Sequence, residues 1–213
     1  MNNFLEYYKS KGHVFGECMS HQNTDLIYVN IPKNASSWTK KVLQDIGWEF
    51  YNYHTDDLYH KHACVVIRNP IERWVSGIAE YMYLYHRNLK SEDLSDCFFD
   101  LVFNRIAYDD HTEQQILFLE KLDKTNCTFF MCDKNYKHNF SNFLNENNIK
   151  NSFNDYEYIH VTDNDVDRKY FKNIFESKLK LSDNLDKLNQ YFQKDFDLIN
   201  TITFYSAKEP KHV

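Results

Sequence analysis

Two apolar runs, each followed by a polar loop and an amphipathic stretch, constrain the fold of this chain most. Asp25–Ile31 (DLIYVNI) is typical of a short buried strand, and Ser36–Ile46 (SSWTKKVLQDI) of a helix that Gly47 ends. Ala63–Ile67 (ACVVI) is typical of a strand covered on both faces, and Glu72–Arg87 of a long helix. Two strand, loop and helix units in succession favour parallel pairing of their strands.

The rest of the chain continues the alternation of strands and helices. With only four glycines and three prolines in 213 residues, and no linker, we expect a single domain spanning residues 1–213. The pattern predicts an α/β fold, a three-layer sandwich around a mainly parallel central sheet. The remaining predicted strands are Trp48–Tyr53, Cys127–Cys132 and Tyr156–Val161, and the remaining predicted helices are Leu94–Ala107, His111–Leu122, Asn139–Asn147, Arg168–Leu179 and Asn184–Ile199.

Charge and composition exclude several classes of protein. A net charge of −6 argues against general nucleic-acid binding, which depends on many basic residues. No apolar run reaches the roughly 20 residues of a membrane span, and Met1–Ser10 is too polar for a signal peptide. Five cysteines without a C-x-x-C pair favour buried, reduced thiols over disulfides or a zinc site. We therefore expect a soluble, cytoplasmic protein with no bound metal.

The first polar loop, Ile31–Trp38 (IPKNASSW), predicts an anion site. Free backbone N–H groups and the positive end of a helix dipole favour an anion where a strand leads into a helix. Lys33 adds a positive charge, and Ser36 and Ser37 can either cap the helix or bond phosphate oxygens. The glycines of a Walker A loop are absent, so this would be an anion site of another kind.

The second polar loop begins at the carboxyl end of the ACVVI strand and spans Arg68–Ser76 (RNPIERWVS). Open α/β sheets bind ligands at this edge. The guanidinium of Arg68 suits bidentate contact with a phosphate, and Ser76 can add a hydroxyl two helical turns later. Pro70 fits the first turn of the helix. For Arg73 we favour a structural ion pair or a position on the helix surface over ligand contact.

These two segments resemble the phosphate-binding segments of the sulfotransferases that use 3′-phosphoadenosine 5′-phosphosulfate (PAPS), and the carbohydrate branch most closely. The motif P-K-x-x-[ST]-[ST] is similar to the 5′-phosphosulfate loop, and R-x-P-x-x-R-x-x-S to the 3′-phosphate segment. The resemblance implies a P-loop-NTPase-like sulfotransferase fold, PAPS as co-substrate, and Lys33 as a catalytic residue at the bridging oxygen and sulfuryl group. The cofactor-binding residues that it implies are Lys33, Asn34, Ala35, Ser36, Ser37, Trp38, Arg68 and Ser76.

The resemblance has two departures and one open position. Many members of the family carry glycine where this chain has Asn34 or Ala35. The carbohydrate branch also has an H-x-x-P-Q segment, which His111 and Gln115 match, but this chain has Gln114 where the family has proline. Trp38 matches a position where the cytosolic branch stacks adenine, but packing in the core is an equally good interpretation. The closing segment QYFQKDFDL resembles a helix that packs back onto the sheet, so we interpret it as structural.

A catalytic base is expected in the segment Trp48–His62, because the acceptor hydroxyl must lose its proton to a histidine or a carboxylate. The candidates there are His54, His60, His62, Glu49, Asp56 and Asp57. We rank His54 first, since cytosolic relatives carry their catalytic histidine at the matching place, and His60 second. His62 starts the next strand and is expected to point away from the cofactor. For His111 and Gln115, either contact with the acceptor substrate or a place in an amphipathic helix is open.

Three hypotheses for function follow. The first is a sulfotransferase acting on a hydroxyl or amine acceptor, which could be a small molecule or a carbohydrate. The second is a module that binds PAPS, or its product 3′-phosphoadenosine 5′-phosphate (PAP), without catalysis. A kinase comes last, because a glycine-rich loop and a magnesium-binding pattern are both absent. Nothing in the sequence identifies the acceptor or the oligomeric state.

Overall fold

Residues 17–51, 61–151 and 165–207 are described by the computed structural model. They form a mixed α/β fold of five strands and seven α-helices, with short 3₁₀ turns at Ser91–Asp93, Gln115–Leu119 and Lys124–Asn126. The strands are β1 (Glu17–Ser20), β2 (Leu26–Asn30), β3 (Glu49–Tyr51), β4 (His62–Ile67) and β5 (Cys127–Met131). The helices are α1 (Ser36–Asp45), α2 (Pro70–His86), α3 (Asp96–Arg105), α4 (Tyr136–Glu146), α5 (Val166–Lys178), α6 (Ser182–Tyr191) and α7 (Gln193–Thr201).

The five strands form one sheet in the order β3-β1-β2-β4-β5. The pairings of β2 with β4 and of β4 with β5 are parallel, whereas β1 pairs antiparallel with both β2 and β3. The expected mainly parallel sheet is therefore only half correct, because the antiparallel half begins at β1. The parallel half is the one that carries both polar loops, and it places the carboxyl ends of β2 and β4 side by side.

The central strands bury both of their faces, which explains their continuous apolar runs. Side chains alternate between the two faces along each strand. In β2, Ile27 and Val29 pack with Phe118 and Leu198 on one face, while Tyr28 packs on the other face. That second face is covered by α1 and α4 through Trp38, Val42, Leu43, Tyr136, Phe140, Phe143 and Leu144.

Helix α2 connects the sheet to a separate cluster of helices. Trp74, Ile78 and Met82 pack with residues of α3, α5 and α6, and the indole nitrogen of Trp74 donates to the carbonyl of Ile106 at 2.9 Å. The side chain of Asn69 caps the start of α2 by accepting from the N–H groups of the second and third helical residues, and Pro70 occupies the first position, as predicted.

Gly77 lets α2 approach a neighbouring segment closely. A Cβ atom built at this position would lie 2.1 Å from the carbonyl oxygen of His111 and 2.7 Å from its carbonyl carbon. No side chain fits in that space, and the obstacle is backbone rather than a flexible side chain. The contact therefore fixes the position of α2 along its axis, and with it the positions of the Ser76 and Glu80 side chains.

Most predicted elements are present within a few residues, but two predicted helices were wrong and one strand was missed. The segment His111–Leu122 forms only a short 3₁₀ turn, because Thr112 Oγ1 accepts from the backbone N–H groups of Tyr108 and Asp109 and closes a local turn. The segment Asn184–Ile199 is two helices that meet at Phe192. Strand β1 was not predicted at all. The predicted strand Tyr156–Val161 lies outside the described residues.

The sequence predicted buried cysteines without disulfide bonds; the absence of disulfides is confirmed, but not all of the cysteines are buried. All five are free, and Cys18 and Cys64 are buried, but Cys97 is exposed on α3. Burial raises the pKa of the Cys18 thiol to about 12, so it stays protonated at neutral pH. Within the described ranges, none of the helices has both the length and the apolar character needed to cross a membrane.

Candidate anion-binding site

The first polar loop turns sharply between β2 and α1. Lys33 (φ 69°) and Ala35 (φ 57°) adopt left-handed backbone conformations, which cost on the order of 1 kcal/mol for residues other than glycine. Ala35 is also the N-cap of α1 and provides no capping side chain, so Ser36 and Ser37 are the first residues of the helix rather than its caps. The start of α1 therefore meets the loop without side-chain capping, as an anion site requires.

Asn34 holds this loop against the sheet. Its side chain is fully buried, and Nδ2 donates to the carbonyl oxygen of Val66 in β4 at 2.7 Å and to Oε1 of Gln115 at 2.6 Å. An amide with those two partners is engaged in the interior of the protein. The structure therefore assigns the Asn34 side chain to loop anchoring, and any contact with a cofactor would come from its backbone.

Gln115 joins the two polar loops through a buried amide. Its Oε1 accepts from Asn34 in the first loop and from the backbone N–H of Arg68 in the second at 3.0 Å, while its Nε2 donates to the carbonyl of Arg68 at 2.9 Å. The backbone of Gln115 is held by Asp195, whose carboxylate accepts from the N–H groups of Gln115 and Ile116, both at 2.9 Å. The structural interpretation of the closing segment is confirmed at Asp195.

Arg68 follows the carboxyl end of β4, as the sequence predicted, and it lies where the two loops meet. Its NH1 donates to the carbonyl oxygen of Lys33 and to Oγ of Ser76, both at 3.2 Å. About a quarter of its side chain is exposed, and its Nε lies 3.5 Å from the carboxylate of Glu72. Ser76 is only 3% exposed, so in this structure its hydroxyl supports the guanidinium of Arg68 from within the protein.

Arg73 has a structural role, but not the ion pair or surface position that the sequence suggested. It is fully buried, and its guanidinium donates to three backbone carbonyls, those of Pro32 at 2.9 Å, Asp110 at 2.8 Å, and Glu113. Burial lowers the pKa of Arg73 to about 10, although the nearby carboxylates of Asp195 and Asp110 raise it in part. Arg73 therefore remains charged at neutral pH. Arg73 thereby ties the first loop to the segment before Gln115.

An ion-pair cluster that the sequence did not predict adjoins Lys33. The Nζ atom of Lys33 lies 3.2 Å from Oε2 of Glu80 in α2. Arg168 of α5 engages both oxygens of the same carboxylate, with NH2 donating to Oε1 at 3.0 Å and Nε lying 2.9 Å from Oε2. Burial lowers the pKa of Lys33. Burial alone would raise the pKa of Glu80, but the charges of Lys33 and Arg168 outweigh that effect and lower it, so the carboxylate is charged at neutral pH.

Trp38 lies in the core rather than in the loop. Its side chain is 1% exposed and meets the ring of Tyr136 edge-on, with the ring centroids 5.7 Å apart. The Nζ atom of Lys137 sits 5.3 Å from the centre of the Trp38 ring. No adenine can stack on an indole that is this deeply enclosed, so of the two interpretations of Trp38 the structure favours packing.

The proposed catalytic bases His54 and His60 lie outside the described residues. His62 is described, and it begins β4 at the end of the strand opposite to the loops, as expected. Its ring nitrogens lie 3.1 Å from Oδ1 of Asn126 and 2.7 Å from Oγ1 of Thr128. Both nitrogens are therefore engaged far from Lys33, and the base stays a prediction that rests on His54 and His60.

His111 forms a charged cluster with the two residues before it. Its Nδ1 lies 3.0 Å from the carboxylates of both Asp109 and Asp110. Burial by itself would lower the pKa of His111, but these two carboxylates raise it to about 9. The three ligand-type atoms lie within 4.8 Å of one another, yet their mutual contacts already account for the grouping. Contact of His111 with an acceptor remains a prediction.

Comparison of the chain with protein-family models, with curated proteins and with solved structures found no match. The indications of function are therefore the two sequence motifs and the geometry of the site. Of the residues that the sequence indicated, the structure brings together Lys33, Arg68 and Ser76, with Ser36 and Ser37 at the start of the adjoining helix. It withdraws the side chains of Asn34 and Trp38 into the interior, gives Gln115 a buried role between the loops, and adds Glu80 and Arg168. No local motif marks Glu80 and Arg168, which are 88 residues apart in sequence.

We predict that Gln115→Leu destabilises the protein by about 3 kcal/mol, because it leaves the N–H and carbonyl of Arg68 and one N–H of Asn34 buried without partners. Urea unfolding followed by circular dichroism measures the change. Gln44→Leu, at an exposed position of α1, is the matched control and is expected to change stability by less than about 0.5 kcal/mol. Equal stability of the two variants would contradict the role assigned to Gln115.

The His111 cluster predicts a pH-dependent stability. Since the pKa of His111 in the folded protein lies near 9, above its ordinary value, its contribution is complete at about pH 6 and is lost as pH rises through 9. The free energy of unfolding of the wild type relative to His111→Gln should fall by on the order of 2 kcal/mol between about pH 6 and pH 10. Chemical denaturation at a series of pH values tests this, and a constant difference would refute it.

Proposed function

We propose that this protein is a sulfotransferase that takes a sulfuryl group from PAPS. The observation that carries the proposal is the meeting of the two loops, where the NH1 atom of Arg68 lies 3.2 Å from both the Lys33 carbonyl and the Ser76 hydroxyl. Two loops with cationic residues at the ends of adjacent parallel strands suit a ligand that carries two separate anionic groups. PAPS is such a ligand, with a 3′-phosphate and a 5′-phosphosulfate.

The two anionic groups would be divided between the two loops. The guanidinium of Arg68, supported from inside by Ser76, takes the 3′-phosphate through its exposed edge. The 5′-phosphosulfate would lie over the start of α1, where it would accept from the backbone N–H groups of the first turn and from the hydroxyls of Ser36 and Ser37, the first two residues of the helix. Lys33, at the left-handed turn of that loop, takes the sulfuryl end.

The reaction would be an in-line transfer at sulfur. The acceptor oxygen attacks the sulfur atom, the bond between sulfur and the bridging oxygen breaks, and the electron pair of that bond stays on the 5′-phosphate of PAP. The ammonium of Lys33 stabilises the charge that grows on the leaving phosphate. The acceptor proton passes to a base, for which His54 and His60 remain the candidates, and the product is a sulfate ester.

The fold assignment that accompanies this proposal is the P-loop-NTPase-like sulfotransferase fold. The parallel strands β2 and β4, each followed by a loop and a helix, with the sheet covered on both faces, support it. The acceptor would be a small molecule or a carbohydrate that presents a hydroxyl or an amine. A module that binds the nucleotide without catalysis differs only in lacking the base, and the turnover assay below distinguishes the two.

We predict that the protein binds PAP and that Arg68→Ala weakens this binding by about 30-fold to 100-fold, since a bidentate charged contact is lost. Isothermal titration calorimetry measures both dissociation constants. Arg87→Ala is the matched control, because Arg87 is an exposed arginine at the opposite end of α2 and should leave the affinity unchanged. The unfolding midpoint of each variant shows whether it is folded.

Absence of binding heat with the wild type would refute the proposed function. A similar loss of affinity in Arg68→Ala and Arg87→Ala would instead place the nucleotide away from the meeting point of the two loops.

We predict that the wild type transfers sulfate from PAPS to at least one member of a panel of hydroxyl and amine acceptors. Replacement of the catalytic base, His54→Ala if His54 is the base and His60→Ala if His60 is, should lower kcat by about 100-fold or more. The dissociation constant of PAP should stay within about twofold of the wild-type value. Release of PAP and mass spectrometry of the acceptor report the turnover. Full turnover by both variants would reject these bases, and binding of PAP without any turnover by the wild type would favour the non-catalytic module.

A further inference from the structure

The cations of the candidate site are already paired with carboxylates of the protein itself. Arg68 pairs with Glu72, and Lys33 pairs with Glu80, which Arg168 also contacts. Arg168 has a weaker second partner in Asp165, at 3.6 Å. Three cations therefore face three carboxylates, and any anionic ligand has to compete with groups that the protein supplies.

The pair that adjoins Lys33 has the geometry of an occupied anion subsite. The Nζ of Lys33 and the guanidinium of Arg168 approach one carboxylate from the loop and from α5, at distances of 2.9 to 3.2 Å. Of the two contacts that Arg168 makes with the carboxylate, the one from NH2 is a hydrogen bond, whereas Nε lies 2.9 Å from Oε2 but is buried without a hydrogen-bond partner. Two oxygens of a sulfate or sulfonate group can occupy the same edge of the guanidinium. A carboxylate and a sulfonate also carry the same single negative charge.

The location of this cluster fits the sulfuryl end of the donor. Glu80 lies one helical turn after Ser76, so the two side chains point to the same side of α2. Lys33 spans that turn, because its carbonyl accepts from Arg68 near Ser76 while its ammonium reaches Glu80. The side chains of Lys33, Glu80 and Arg168 are 15 to 18% exposed, so the cluster is partly open to solvent.

We propose that Lys33 and Arg168 form a subsite for a tetrahedral oxyanion, the sulfuryl group of the donor, and that Glu80 fills this subsite until the donor displaces it. The identity of the donor rests on the proposed function, whereas the subsite itself does not. Arg168 is then a binding residue for the transferred group, contributed by a helix far from both motifs. Glu80 keeps Lys33 and Arg168 together in the free protein and gives way to an anion that satisfies the same donors.

The first test uses inorganic sulfate as the probe. Thermal unfolding of the full chain is followed at increasing sulfate concentration, with sodium chloride at equal ionic strength as the reference. Glu80→Gln keeps the shape of the side chain but removes its charge, so the apparent affinity for sulfate should rise by about threefold to tenfold. Arg168→Gln should lower it by about tenfold. Lys169→Ala, an exposed position next to Arg168, is the matched control and should behave as the wild type.

A purely structural salt bridge predicts a different result. In that case both Glu80→Gln and Arg168→Gln would destabilise the protein, and Arg168→Gln would leave the increment that sulfate adds over chloride unchanged. A sulfate response of Arg168→Gln equal to that of the wild type overturns the subsite. If Arg168→Gln does not fold, Arg168→Lys takes its place, because it keeps the positive charge but loses the planar guanidinium, and its apparent affinity for sulfate should fall by about threefold. An unchanged affinity in that variant overturns the subsite in the same way.

A second test connects the subsite with the donor. Arg168→Gln should weaken the binding of PAPS by about tenfold and that of PAP by less than threefold, because only PAPS carries the sulfuryl group. Equal loss for the two nucleotides, or none, overturns the assignment of the subsite to the transferred group. If the wild type binds neither nucleotide, the proposed function fails, and the sulfate titration alone decides whether Lys33 and Arg168 form an anion subsite.

Discussion

The buried amide of Gln115 is the contact on which the rest of the site depends. It bonds the side chain of Asn34 in the first loop and both backbone groups of Arg68 in the second, with no water between them. Hydrogen bonds in the interior are costly to leave unmade, so the two loops cannot separate without a large loss of stability. The amide thereby holds the loops that follow β2 and β4 side by side. Asp195 extends the same constraint to α7 by holding the backbone on which Gln115 sits.

The cationic side chains near the two loops fall into two classes, one buried and structural, the other partly exposed and placed where a ligand could reach it. Arg73 is fully buried and donates to three backbone carbonyls, so it fixes the position of the loops and is out of reach of a ligand. Lys33, Arg68 and Arg168 are partly exposed, and each pairs with a carboxylate side chain, although Arg68 also donates to the carbonyl of Lys33. Sequence alone could not assign all of these roles, because charge and residue type are the same in both classes and only burial separates them.

The sequence predicted the parts of the fold that local patterns determine. The strands β2 and β4 are continuous apolar runs, and α1 and α2 carry amphipathic spacing with clear ends, so all four were found. Strand β1 was missed because it has only four residues, one of them exposed and one partly exposed. The helix predicted after His111 failed because a threonine closes a turn there. Glu80 and Arg168 were missed because the chain must fold before they meet, and neither belongs to a motif.

The close contact at Gly77 fixes the position of α2 against the segment that carries His111, which would matter for the ligand that we propose. With the helix pressed against the carbonyl of His111, it can neither slide nor rotate, and the rise of an α-helix sets Ser76 and Glu80 about 6 Å apart along its axis. Discrimination between nucleotides would then depend on length as well as charge. A molecule whose two anionic groups are spaced too closely or too widely could satisfy one end of the site only. A larger residue at position 77 would force α2 away from the carbonyl of His111 and move Ser76 and Glu80 together relative to Lys33 and Arg168, so it would alter the distance between the two ends of the site as well as the stability of the fold.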